Sequence, residues 1–120
     1  MYVITKYTNQ KGIKPYDEYI ANLEKNGCHN EMNKIKHYIE LLETFGDKLL
    51  FNNDHAKRIV FDLCELRPFP NRIFYYHCRF NDKYVLLHCF KKKTNKTPDD
   101  EINIALDEIN DYERMIKNEK

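Results

Sequence analysis

"RIVFDLCELRPFPNRIFYYHCRFNDKYVLLHCFK", residues 58–91, decides how this chain folds. Its apolar residues do not recur every three or four positions. They come in runs rich in Val, Ile, Tyr and Phe, which is strand composition. Three strands are predicted, at 58–67, 72–80 and 83–91. "PFPN" (68–71) and "ND" (81–82) supply the turns between them. Both faces of these strands are largely apolar, so the sheet needs cover on both sides.

The flanking sequence supplies that cover. Before the strands, "PYDEYIANLEKNG" (15–27) reads as a helix, with Pro15 in its first turn and Gly27 at its end. Tyr16, Tyr19, Ile20 and Leu23 share one face. "NEMNKIKHYIELLETFG" (30–46) is a second helix, capped by Asn30, closed by Gly46, with Met32, Ile35, Ile39 and Leu42 in line. The short link between them predicts an antiparallel helix pair on one sheet face. "YVIT" (2–5) is a short first strand. After the strands, Thr97 is the expected N-cap of a last helix and Pro98 its first residue. Asp99, Asp100 and Glu101 favour the positive end of the helix dipole. Ile102, Ala105, Leu106, Ile109 and Tyr112 form the stripe that covers the other face. The expected architecture is α+β, in the order β-α-α-β-β-β-α, as a single domain over residues 1–120.

Of the 120 residues, 42% are hydrophobic and 32% charged, which fits a globular chain and argues against disorder. The start has no long apolar core and no run approaches the roughly 18 apolar residues of a membrane span, so a cytoplasmic protein is expected. Cys28, Cys64, Cys78 and Cys89 form no C-x-x-C pair. The histidines at 29, 37, 55, 77 and 88 form no H-E-x-x-H pattern, and neither metal nor cofactor is expected.

The net charge of +1 hides a segregation. Residues 55–98 hold ten Lys/Arg against three Asp/Glu, net +7, while residues 99–120 hold three against eight, net −5. A basic centre suits a large anion such as nucleic acid, and equally a solvated lysine-rich face.

Strand pairing brings the cations together. With "ND" as a two-residue turn, Phe80 opposes Lys83, Phe74 opposes Cys89 and Arg72 opposes Lys91. With "PFPN" as a four-residue loop, Glu65 opposes Phe74 and Arg67 opposes Arg72. Directly opposed residues share a sheet face, so Arg67, Arg72 and Lys91 are expected in one row. Like charges so placed repel by up to about 1 kcal/mol unless an anion joins them or solvent screens them.

The segment Glu65-Leu66-Arg67, Arg72-Ile73-Phe74-Tyr75, Leu86-Leu87-His88-Cys89-Phe90, Lys92-Lys93-Thr94-Asn95-Lys96-Thr97-Pro98 and Glu101-Ile102 closely resembles the core of HigB-type toxins, in the phage-derived branch of the RelE superfamily. The resemblance spans nearly the whole chain and is most specific over 63–105. It departs at Leu63 and Cys64, where branches of that family often carry an aromatic residue. It implies a RelE-like fold and a toxin that cleaves mRNA in the ribosome, without a metal, by attack of the RNA 2′-hydroxyl on the adjacent phosphate. It also implies a cognate antitoxin, commonly a helix-turn-helix protein.

That reaction needs an acceptor for the 2′-hydroxyl proton, a donor for the departing 5′-oxygen and fixed positive charge at the phosphate. Arg67, Arg72 and Lys92 stand where the resemblance implies active-site cations. Arg72 is the first candidate for direct phosphate contact, because a guanidinium can bind two phosphate oxygens at once. Lys91, Lys93 and Lys96 are further RNA-binding candidates. Glu65 is either the general base or the structural partner of Arg67. Tyr75 either stacks a base or belongs to the core. His88 is expected on the sheet face away from Arg72, against Tyr75, as a core histidine. Asp107, Glu108, Asp111 and Glu113 are either a solvated face or part of the antitoxin contact. A non-catalytic RNA- or ribosome-binding domain would use the same cations.

Overall fold

The computed structural model describes residues 1–118. The expected domain of 1–120 extends into residues 119–120, which lie outside the described residues. A central mixed sheet is built from β1 (Ile4–Lys6), β2 (Ala56–Val60), β3 (Leu63–Leu66), β4 (Asn71–Cys78) and β5 (Lys83–Lys91). The helices are α1 (Pro15–Lys25), α2 (His29–Phe45) and α3 (Asp99–Asn118), with a 3-10 turn at Gly46–Phe51. Strand order is β1-β5-β4-β3-β2, and β1 runs parallel to β5 while the other pairs are antiparallel.

The sheet separates two apolar cores. Cys64, Leu66, Ile73, Tyr75, Leu86 and Cys89 point to the helix pair and meet Leu23, Ile35 and Leu42. Leu63, Phe74, Tyr76, Val85, Leu87 and Phe90 point to α3 and meet Ala105, Ile102, Leu106, Ile109 and Tyr112. Double-sided cover explains why the strands lack a clean polar face.

Several expectations are corrected. The single strand expected at 58–67 is two strands, paired as a hairpin with Val60 opposite Leu63. The turn is Phe61-Asp62, with Phe61 at φ 51° and its carbonyl accepting from Arg58 Nη1 at 3.0 Å. No Gly or Pro marks it, and the apolar run reads straight across. Conversely, the "ND" turn is not two residues long. Cys78 pairs with Lys83, so residues 79–82 form the loop, with Asp82 at φ 54°. Asn30 lies inside α2 and Cys28 takes the cap position, while Gly46 closes the helix at φ 55° as expected. Cys64, Cys78 and Cys89 are buried and all four cysteines are free. Among the described residues no helix is long and apolar enough to cross a membrane.

Candidate active site

The β3–β4 register is the expected one, with Glu65 opposite Phe74. It places Glu65 on the α3 side of the sheet, 1% exposed, at the end where Arg67 and Arg72 flank the 68–70 loop. Arg67 Nε lies 3.4 Å and Arg72 Nε 3.6 Å from Glu65 Oε2. The other carboxylate oxygen, Oε1, accepts from Thr97 Oγ1 at 3.0 Å. One buried acid thus holds two guanidiniums and the end of the lysine-rich loop. Thr97 was the expected helix cap, but its hydroxyl is spent on Glu65, and the Pro98 carbonyl accepts the Ile102 N–H instead.

The two arginines differ in access. Arg72 is 5% exposed, and its Nη1 donates to the Asn71 carbonyl at 3.1 Å. Burial pushes its guanidinium down from the usual arginine range; Glu65 opposes that shift and Arg67 adds to it. Arg67 is partly exposed. Its Nη1 donates to the Asn53 carbonyl at 2.9 Å, and its Nε, though buried, makes no hydrogen bond.

Residues 92–98 close over this cluster. The Lys92 N–H donates to the Pro70 carbonyl at 2.7 Å, tying the loop to the β3–β4 turn. Glu65, Arg67, Arg72, Phe90 and residues 92–98 line a cavity of about 10 Å³, room for roughly one water. Lys93 and Lys96 are exposed and Lys92 half-buried. The inner layer is therefore the buried Glu65–Arg72 pair, and half-buried Arg67 links it to an outer layer of loop lysines.

Lys91 does not join them. The β4–β5 loop is two residues longer than expected, which keeps the faces, and a one-residue bulge between Ile73 and Tyr75 then sets Arg72 opposite Phe90 and Lys91 opposite Asn71. Lys91 points to the helix pair, where its Nζ meets Glu31 Oε1 at 3.2 Å. Asn71 Nδ2 donates to the same oxygen at 2.9 Å, and Tyr19 hydroxyl donates to Asn71 Oδ1. The hydrogen bond from Asn71 and then the Lys91 charge hold the Glu31 carboxyl below its ordinary value. The expected Arg67–Arg72–Lys91 row is a slip of one residue away from the observed pairing, and one residue reverses the face.

His88 is corrected by the same physics. Between Ile73–Cys89 and Tyr75–Leu86 the pairing shifts, so Phe74 faces two residues of β5. This bulge turns both Leu87 and His88 toward α3. His88 therefore lies on the Arg72 side, not against Tyr75. Its Nδ1 sits 2.7 Å from Glu108 Oε1 and its Nε2 3.2 Å from Glu101 Oε1, and Glu108 also accepts the His88 N–H. Burial lowers the imidazole's proton affinity, but the two glutamates outweigh it and raise its pKa above the ordinary value. Tyr75 is 1% exposed among the helix-side core residues, so its ring offers no face to a base.

Two of the four acids expected on one α3 face are internal. Glu108 binds His88, and Asp111 accepts from Tyr7 hydroxyl at 2.6 Å and from Gln10 Nε2 at 3.2 Å. These bonds hold the Asp111 carboxyl below its ordinary value. Among the described residues no group of three His, Cys, Asp or Glu is arranged to hold a metal ion.

Sequence reading missed Thr97 as a partner of Glu65, and it missed Asn71 as the buried hub of the opposite face. Thr97 carried a faint signal: a threonine next to proline at a loop end can bind sideways as well as cap. Asn71 carried one as well, since a polar residue at the start of an apolar strand needs partners when buried.

A family model described as phage derived protein Gp49-like (DUF891) matches residues 18–110. Among curated proteins none matches the chain.

Proposed function

This chain belongs to the phage-derived Gp49-like family, and from that premise we propose that it is a HigB-type toxin of the RelE superfamily. In this reading it is a ribosome-dependent mRNA endoribonuclease, one domain of residues 1–120, cytoplasmic and neutralised by an antitoxin, with a helix-turn-helix partner the expected kind. The mixed sheet with a helix pair on one face and a C-terminal helix on the other suits a RelE-like fold.

The observation that carries the reading is the Glu65 group beneath the lysine loop. Glu65 sets Arg67 and Arg72 at fixed distances before any substrate arrives. Positive charge held in place costs no reorganisation when phosphate charge rises in the transition state. Arg67, Lys92, Lys93 and Lys96 are the cations with access to RNA. Arg72, buried and paired, acts as a positioning residue that keeps Glu65 and hence Arg67 in register. The RNA supplies its own nucleophile, the 2′-hydroxyl, and the products are a 2′,3′-cyclic phosphate and a 5′-hydroxyl. The ribosome aligns the strand for in-line attack, which this shallow surface does not do alone.

A second reading is a non-catalytic RNA- or ribosome-binding module. It draws on one observation: Glu65, the carboxylate in the cavity lining, is already engaged by two arginines and Thr97. Induced expression with cleavage mapping on two copies of one transcript, one lacking its start codon, tests both. Cuts confined to the translated copy are expected. Equal cutting of both copies defeats ribosome dependence, and no cutting of either favours the binding module.

A further inference from the structure

Phe69 stands at the tip of the β3–β4 turn with its ring 64% exposed. The loop beneath it is held on three sides. The Pro68 carbonyl accepts the Asn71 N–H at 2.9 Å, the Pro70 carbonyl accepts the Lys92 N–H at 2.7 Å, and Lys34 Nζ reaches the Phe69 carbonyl at 3.4 Å. Pro68 is buried and both prolines fix their own φ, so the ring is presented from a stiff support. Cations stand on three neighbouring elements: Lys34 of α2 reaches the Phe69 carbonyl, Arg67 immediately precedes the turn, and Lys92, its N–H tied to the Pro70 carbonyl, begins the loop after β5. Phe80, another exposed ring, already carries the Lys117 ammonium 5.0 Å from its centroid.

An exposed aromatic ring on a turn flanked by cationic residues matches single-stranded nucleic acid. The cations follow the phosphates, and the ring offers a face on which a base can stack, whatever its sequence. A protein partner would need a wider apolar cluster around its anchor. We propose that Phe69 is the stacking platform for one nucleobase of the RNA whose phosphate lies at Arg67 and the lysine loop. This rests on the RNA reading above and adds a positioning residue to it.

The chain contains no tryptophan, so the indole introduced by Phe69→Trp reports from this position alone. The probes are a fluorescein-labelled oligo(A) RNA and an abasic ribose-phosphate oligomer of equal length and charge. Oligo(A) is expected to quench the indole and the abasic oligomer to leave it bright. In the otherwise native chain, Phe69→Ala should weaken oligo(A) binding about tenfold and abasic binding not at all, with Phe69→Trp retaining the native preference. Lys92→Gln with Lys93→Gln should weaken both oligomers alike. Oligo(A) binding without quenching, or unchanged by Phe69→Ala, overturns the stacking role and leaves the cation site standing. Phe69→Ala that keeps RNA affinity but escapes antitoxin neutralisation assigns the ring to protein docking, which also overturns it. Failure of both oligomers to bind the native chain removes the stacking role and the RNA reading together.

Discussion

Glu65 and Glu108 are both buried on the α3 side of the sheet, at 1% and 8% exposure, yet their surroundings differ in kind. Glu65 faces two arginines and leaves positive charge in excess beneath a basic loop. Glu108 shares His88 with Glu101, so that group carries negative charge in excess and joins α3 to the bulge of β5. In the proposed function the first arrangement takes the RNA phosphate as its anion. The second is complete within the protein and serves to dock a helix. Burial alone therefore does not mark a functional acid; the sign of what remains unpaired around it does.

The largest expected effect falls on the Glu65 side. Lys92→Gln, Lys93→Gln and Lys96→Gln combined should lower translation-coupled RNA cleavage about a hundredfold or more. Stability should stay within about 0.5 kcal/mol, because Lys93 and Lys96 are exposed and Lys92 only half-buried. Cleavage rate and urea unfolding on the same preparation check this. Comparable losses in both would turn the loop into scaffold.

Next come the inner partners. Glu65→Ala leaves two arginines facing each other in a closed site and should cost about 3–5 kcal/mol. Arg72→Leu should also destabilise, by about 2–4 kcal/mol, since it strips one partner from a buried carboxylate. From strand spacing alone, an Arg72 opposed to Lys91 would lose no stability on losing its charge. The observed pairing reverses that sign, and urea unfolding decides between the two.

The Glu108 side should respond to pH instead. His88 has a folded-state pKa above its unfolded value, so its contribution is full below the unfolded value of about 6.5. That contribution is lost as pH rises through the folded value. Unfolding free energy should fall across this window in the native chain, and His88→Gln should flatten the fall. An equal slope in both proteins would detach His88 from α3 docking.

The smallest effect belongs to Lys91. Lys91→Gln removes a half-exposed ion pair with Glu31 and should cost at most about 1 kcal/mol, with cleavage near native. A large loss of cleavage would return Lys91 to the site.

These outcomes trace back to what the chain makes legible. β5 was readable residue for residue, from Lys83 to Lys91, because Tyr84 to Phe90 is an apolar run broken only by His88 and bounded by lysines. Glu65, Arg67 and Arg72 could be brought together because the 68–70 loop is bounded by prolines. Lys91 and His88 could not be placed, because a longer loop moves every later pairing and a bulge reverses the face beyond it. Neither needs a special residue, and Phe61 shows the same at a turn without glycine. Local composition reports strand content well, whereas pairing depends on contacts far apart in sequence.

In the proposed function this basic group promotes attack by the RNA's own 2′-hydroxyl. Purified protein with translating ribosomes, followed by chemical analysis of the RNA ends at each cut, tests it most directly. The expected ends are a 2′,3′-cyclic phosphate, or its opened form, on the upstream fragment and a 5′-hydroxyl on the downstream one, absent with the three-lysine variant. A 5′-phosphate on the downstream fragment, or cuts unchanged in that variant, would contradict it.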